Sequence, residues 1–535
     1  MLDLSRIPEA VRYEGGISRR LFLAYGAALA SLPTLGERTA RATTKLSFAA
    51  DPFSLGVASG DPATDSVLLW TKLAPQPAEP TGGMSPEAIA VSWEIAEDEG
   101  MKTIVDRGTS FATAQLGHSL HVEARGLKPD RWYWYRFMCG DATSPVGRTR
   151  TLPVANSLPE QLKFAFASCQ HYESGLFTGY EQMARDNVDL VFHLGDYIYE
   201  GAPRPGGVRQ HTGPTDSKIK TLADYRQRHM LYRADPLLHG MHALCPWFVT
   251  WDDHEFDNNY ANDIEEEHQG AEPADPADFL VRRAAAYQAY YEMMPLRPRS
   301  LPRGPNMQLY RTASFGRLAE FFVLDTRQYR TDQPNGDGLQ PLNEAALKRS
   351  NSILGPKQRG WLQSKLISST AAWNVLAQQV MMAMVEFNLP TRSGFAMDQW
   401  PGYAAERLEL MAFIADRQVP NPVVLTGDIH SNWVNNLRVD DRQHDTPVVA
   451  TEFVATSLTS GGNGTQTILG QERVMAHNPC IQFHNRERGY VRCTVTPSTW
   501  TSDYVVVEDI TKPGGNTLTR ASFVIESGSP GAKPA

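Results

Sequence analysis

The chain has 535 residues, 41% of them hydrophobic and 21% charged, with 51 Lys and Arg against 60 Asp and Glu for a formal charge of −9. At roughly 100–200 residues per domain this length implies more than one core, and the composition is that of a globular protein. The negative balance leaves no basic footprint for a nucleic-acid backbone. Five cysteines (Cys139, Cys169, Cys245, Cys480 and Cys493) cannot all pair within the chain. Cys480 and Cys493 are close enough in sequence to bridge, although spacing alone leaves their pairing open. Cys169 is the candidate for the odd thiol.

The first 42 residues read as an export signal. Ser18-Arg19-Arg20-Leu21-Phe22-Leu23 precedes an apolar stretch from Ala24 to Leu32 and then Ala40-Arg41-Ala42. Twin arginines, a short hydrophobic region and a small-x-small site in that order form a twin-arginine signal peptide. The apolar stretch falls short of the ~20 residues that span a bilayer, so no stable membrane anchor is expected. The plain alternative is an amphipathic helix that happens to carry two arginines. The signal implies the twin-arginine export machinery as a partner and a periplasmic or secreted bacterial protein. It also suits a protein that leaves the cytoplasm folded, with metals already bound.

Residues 50–152 read as a small all-β domain. Residues 66–71 and 90–95 are β-prone runs between Pro- and Gly-rich segments, and 132–137 is an aromatic strand. Leu127-Lys128-Pro129 with Tyr133 four residues after the proline resembles the tyrosine corner of Ig-like and fibronectin type III sandwiches. A joint at Thr151-Leu152-Pro153 leads to a larger α/β unit over 160–525. Its apolar strands are expected at 162–167, 188–194, 247–251, 320–324 and 422–426. Helices are expected at 179–187, 278–293 and 357–366. Residues 528–535 read as a loose tail.

Ligand-type residues follow these strands. Ser168-Cys169-Gln170 follows the first and Gly195-Asp196-Tyr197-Ile198-Tyr199 the second. Trp251-Asp252-Asp253-His254-Glu255, with Asp257-Asn258-Asn259 close behind, follows the third, and Gly427-Asp428-Ile429-His430 the last. Turns at strand ends can aim such groups at one point. Asp196 has two oxygens with which to bridge ions. Tyr199 as phenolate and Cys169 as thiolate need a strongly Lewis-acidic ion such as Fe(3+), with His430 completing that side. Asp253, Asn258, Asn259 and Asp428 are hard oxygen donors suited to Ca(2+) or another divalent ion. Asp252 is expected to orient Asp253 or to cap a turn. Either Asn258 or Asn259 is expected to ligate, and the sequence does not choose between them. Tyr197 reads as packing, and His171, His193 and His484 as structural.

The order Gly-Asp-x-x-Tyr, Asp-Asp-His-Glu and Gly-Asp-x-His resembles the metallophosphoesterase superfamily. Ser-Cys-Gln, His-Leu-Gly-Asp-Tyr-Ile-Tyr, Trp-Asp-Asp-His-Glu and Leu-Asp-Thr-Arg-Gln-Tyr-Arg together are similar to its alkaline phosphatase D (PhoD-like) branch, over most of residues 45–510. Cys169 stands where many members have an aspartate and Asp428 where most have a histidine, both as in that branch. The resemblance implies an α/β layered sandwich of mixed β-sheets flanked by helices, behind an N-terminal Ig/fibronectin-like domain. It implies hydrolysis of phosphate mono- or diesters by attack of a metal-bound hydroxide. His254 is then the candidate to contact the phosphate and protonate the leaving oxygen, and Arg327 the candidate to offer the phosphate a fork of donors. An ion pair with a neighbouring carboxylate is the competing role for Arg327. The alternatives are a phospholipase D-like diesterase on lipid or cell-wall phosphodiesters, a non-catalytic metal-binding envelope module, and an exported redox enzyme. The last finds no Rossmann or haem motif in its support.

Overall fold

A computed structural model describes residues 46–215, 217–265, 275–388 and 393–535. The expected signal at 1–42 lies outside the described residues. Short Val-, Phe- and Trp-rich runs, too short for helices and buried on both faces, become central parallel strands. Leu162–Ala167, Leu190–His193 and Trp247–Val249 pair in that order at the middle of a ten-stranded sheet. Four antiparallel strands, beginning with Gly489–Val495 and ending with Ser529–Pro534, extend it on one side. A seven-stranded sheet has Ala319–Val323, Trp373–Ala377, Pro422–Thr426 and Ala450–Val454 as its parallel middle.

The two sheets share an aromatic core. Phe164, Phe192 and Phe248 of one meet Phe321, Trp373 and Phe453 of the other. The Phe192 and Phe164 rings lie 4.6 and 5.5 Å from that of Phe321. Each such side chain contributes about 1.5–3 kcal/mol by burial, which holds the strand ends of both sheets in one frame. Helices Thr178–Arg185, Leu222–Arg233 and Pro276–Met293 pack into a second core on the ten-stranded sheet. Gly355–Ser368 and Ala404–Asp416 pack into a third, on the seven-stranded sheet. Two helix limits show their causes. Asp275 accepts the Ala277 N–H at 2.8 Å with Pro276 at the first helical position, so that helix starts two residues before the expected 278. Asn187 takes a positive φ of 49°, which stops the helix expected to reach it.

Residues 50–152 divide between two sheets. Val57–Gly60 meets the ten-stranded sheet at the single pair Gly60 and Trp247, and Ser66–Lys72 and Ser119–Arg125 follow it. Ile89–Ala96, Ile104–Ala112 and Trp132–Cys139 form a five-stranded sheet with two short strands. Both sets share one core, including Val67, Leu69, Ile95, Tyr135 and Phe137. The Tyr133 hydroxyl accepts the Lys128 N–H at 2.9 Å, closing the Leu-x-Pro turn. The chain end is not the loose tail expected. Ser529–Pro534 pairs with Thr517–Glu526, and the Ala532 N–H donates to Asn436 Oδ1 at 2.8 Å. The Gly- and Pro-rich composition hid a strand whose backbone is held by partners. Cys480 and Cys493 are both free and buried in different cores. Among the described residues no helix is long and apolar enough to cross a membrane.

Candidate metal centre

The C-terminal ends of the central strands of both sheets converge. Cys169, Asp196 and Asp253 follow the three parallel strands of one sheet, and Arg327 and Asp428 follow two of the other. Cys169, Asp196, Asn259, Asp428 and His430 all have φ between 51° and 61°. Non-glycine residues take this left-handed conformation at a cost on the order of 1–3 kcal/mol, and functional turns are where it persists. Gly195, at φ 109°, allows the two main turns to touch: a Cβ there would lie 2.4 Å from the Cβ of Asp252. Glu255 then clamps them, accepting the N–H of Asp196 at 3.0 Å, of Asp252 at 2.8 Å and of Tyr197.

The side chains so aimed form three linked groups. Cys169, Asp196 and His430 bring potential ligand atoms within 4.8 Å of one another, as do Asp196, Asp253 and His254, and Asp252, Asp253 and Asp428. Asp196 belongs to the first two and Asp253 to the last two, so these carboxylates stand where ions would be bridged. Tyr199 joins the first group: its hydroxyl donates to Asp196 Oδ2 at 2.8 Å, lies 3.2 Å from His430 Nε2 and accepts from Ser460 at 2.6 Å. Cys169, Asp196, Tyr199 and Asp253 are buried, while Asn258, Asn259, Asp428, His254 and His430 keep partial access to solvent. The open side of the centre is therefore the side of the last five.

Too many anions are gathered here for the fixed cations. Burial, reinforced by neighbouring carboxylates, pushes Asp196 well above the usual carboxylate range. Asp252 is raised likewise, and Asp428 reaches about 7. Unlike these three, Asp253 is depressed, because Arg327 and His254 outweigh its burial. Burial also raises the Cys169 thiol and the Tyr199 phenol, helped in both by Asp196. Asp196 Oδ1, Asp252 Oδ2 and Asp253 Oδ1 are buried without a hydrogen bond. Orphaned carboxylate oxygens beside a thiol, a phenol and an imidazole fit cations, which reverse such shifts when bound.

His254 has its Nδ1 2.7 Å from Glu200 Oε2. Burial alone would lower its pKa, but Glu200, Asp253 and Asp196 together hold it well above the usual histidine value. Arg327 differs from the expected phosphate fork. It is fully buried, and its guanidinium donates to Asp252, to Asp398 at 2.9 Å and to Asp428 at 3.1 Å, and lies 3.5 Å from Asp253. It stands behind the carboxylates with its donors already engaged. Asn259 gives its backbone N–H to Asp253 at 2.7 Å and its side-chain amide to Asp337 at 2.7 Å. The Asn258 N–H donates to Glu200 at 3.2 Å. The sequence reading missed Glu200, Asp398 and Ser460. Glu200 was within reach, one residue after Tyr199; Asp398 and Ser460 follow no motif.

Residues 164–504 match the PhoD-like phosphatase family, and residues 38–153 match the PhoD-like phosphatase N-terminal domain. The chain is 51% identical over 491 residues to alkaline phosphatase D of Bacillus subtilis strain 168, covering 91% of this chain and 83% of that protein. It is also similar to a solved structure of PhoD, with a TM-score of 0.88 at 50% identity, covering 92% of this chain and 93% of the other.

Proposed function

This chain belongs to the PhoD-like phosphatase family and is a phosphoric ester hydrolase; from that premise we propose how its residues divide the work. The carrying observation is the run of three ligand groups joined through Asp196 and Asp253, with buried oxygens left unbonded. Cys169, Tyr199, Asp196 and His430 would hold Fe(3+), the ion able to keep a phenol and a thiol deprotonated. Asp253, Asp428 and Asn258 would hold Ca(2+) as hard oxygen ligands, with Asn259 shaping the site through its backbone bond to Asp253. When bound, the metals supply positive charge for the phosphoryl oxygens and lower the pKa of a water.

The chain's own residues complete the chemistry. Glu200 fixes the proton of His254 on Nδ1, so Nε2 is the atom left to meet a substrate oxygen. His254 in its charged form would protonate the leaving alkoxide. Arg327 is a positioning residue that holds Asp252, Asp253 and Asp428 together against their mutual repulsion. We place the fold with the metallophosphoesterase layered sandwiches and residues 50–152 with the Ig/fibronectin-like domains, ahead of a catalytic unit over 160–525. Export through the twin-arginine machinery to the periplasm or medium rests on the signal read at residues 1–42.

The test is turnover of a nitrophenyl phosphate monoester and the matching diester, before and after chelation. Activity lost on chelation and restored by Ca(2+) supports the proposed site. Undiminished turnover in metal-stripped protein would overturn it, and the faster ester decides between phosphatase and diesterase.

A further inference from the structure

Beyond the main centre, a second cluster joins two stretches of chain. His171 and Glu173 lie on the turn after Cys169, and His211 lies at the end of the segment 201–211. The three side chains bring potential ligand atoms within 4.8 Å of one another, and all are buried. Glu173 Oε1 accepts the N–H of His211 at 2.9 Å and of Arg204 at 3.0 Å, and among the described residues Oε2 accepts from Arg204 alone, at 3.2 Å. Oε2 thus keeps a lone pair, and His211 Nδ1 stands 3.5 Å from it. That separation is too long for a good hydrogen bond, and among the described residues the buried Nδ1 makes no hydrogen bond of normal geometry.

The remaining atoms of both rings are already oriented. His211 Nε2 lies 2.8 Å from the Tyr232 hydroxyl, and His171 Nδ1 lies 2.9 Å from Ser174 Oγ. His211 is held at Nε2 and turns its Nδ1 toward Glu173, the arrangement that outer partners impose on metal-ligating imidazoles. Donors around a tetrahedral ion with bonds of about 2.0–2.1 Å sit about 3.3–3.4 Å apart, close to the observed Nδ1–Oε2 gap.

We propose that His171, Glu173 and His211 form a separate site for a divalent ion of the zinc class. Two imidazoles and one carboxylate suit zinc better than calcium, and a water would fill the fourth position. The ion would tie the turn after Cys169 to the segment 201–211. The His171 ring meets Tyr199 edge-on at 4.6 Å, so the strut would also brace the phenol of the main centre. The proposal is independent of the phosphoesterase chemistry, because its readout is metal occupancy.

Crystals of the full chain grown with Zn(2+) would be measured on both sides of the zinc absorption edge. An anomalous peak at bonding distance from a His171 ring nitrogen, Glu173 Oε2 and His211 Nδ1 is expected. An empty position there, with zinc ordered elsewhere in the same crystal, overturns the proposal. In solution, wild-type protein equilibrated with Zn(2+) should carry one zinc equivalent more than His211→Ala or Glu173→Gln. Equal content in folded variants overturns the proposal as well. If both variants fail to fold, the wild-type diffraction experiment decides alone.

Discussion

Two sets of buried carboxylates, one around a strand of the seven-stranded sheet and one at the strand ends of the ten-stranded sheet, are equally removed from water and differently partnered. Glu452 accepts N–H groups from Met382 at 2.6 Å and Ala383 at 3.0 Å, the Asn435 amide at 3.0 Å and the Thr426 hydroxyl at 2.8 Å. Asp441 pairs with Arg407 at 2.7 Å, both fully buried. Asp196, Asp252 and Asp253 are also buried, yet each keeps an oxygen with no hydrogen bond. Burial alone is therefore not the mark of a site. Nor is an unbonded oxygen by itself: Asp61 and Asp257 keep one each and already face Arg311 and Arg282, whereas Asp196, Asp252 and Asp253 crowd together with more negative charge than Arg327 can balance.

Exchanging one residue from each set breaks or sharpens this comparison. Asp196→Asn removes the charge shared by two ligand groups and should lower kcat by about 10³-fold or more, with a parallel loss of bound metal, because the metals carry the electrostatic stabilisation. Glu452→Gln should leave metal content and turnover per folded molecule intact while lowering stability by about 1–3 kcal/mol, the cost of imperfectly met buried donors. Metal analysis beside denaturant unfolding reads both effects. Metal lost from Glu452→Gln, or retained by Asp196→Asn, would collapse the distinction. A loss of comparable size but without loss of metal is expected at His254. Its replacement by Ala should reduce kcat about 10²–10⁴-fold with metals retained, and Glu200→Gln about 10–100-fold. The Glu200 variant should also shift the alkaline limb of the pH–rate profile to lower pH, because His254 must be protonated to act as the acid and Glu200 raises its pKa, which a loss of packing alone would not do.

The main ligands were legible because each follows an apolar run, so the pattern of burial and the chemistry coincide at Cys169, Asp196, Asp253, Asp428 and His430. Partners across the site were not. Arg327 reads equally well as a phosphate fork or an ion-pair partner, since a motif carries no information on which way a guanidinium points. Asp398 and Ser460 reach the centre from loops with no periodic signal. The strands near the N-terminus look self-contained in sequence. Their link to the large sheet runs through Gly60 and Trp247, a pairing across 187 positions that no local pattern announces.

Arg327 sharpens the comparison from the cationic side. It is the fixed positive charge among carboxylates that otherwise repel one another, and burial does not prevent them from holding it strongly protonated. Arg327→Met should destabilise the protein by about 3–5 kcal/mol, the range for removing one partner from a buried ionic cluster. Saturating Ca(2+) should recover part of that loss by replacing the missing charge. Thermal unfolding with and without Ca(2+) measures it. A loss unaffected by Ca(2+) would mean that Arg327 is pure scaffold, and an Arg327→Lys variant with unchanged stability would deny its fork any role.

The smallest effect separates buried histidines from both carboxylate sets. His193 and His229 have neither ring nitrogen hydrogen-bonded, and His242 stacks on Trp247 with centroids 3.6 Å apart. Burial drives His193 and His229 down to about 3, and His242 well below its ordinary value. Their folded pKa values lie below the unfolded value near 6.5, so above that pH both states are neutral and the rings contribute no slope. As pH falls below 6.5 the unfolded chain takes up protons that the folded chain refuses. Stability should then decline by up to about 1.4 kcal/mol per pH unit for each histidine, continuing toward pH 3. Unfolding midpoints at pH 7, 6 and 5 in chelated protein isolate this from metal release. His193→Phe should flatten the slope by one histidine's share, and an unchanged slope would place the acid sensitivity in the carboxylate centre instead.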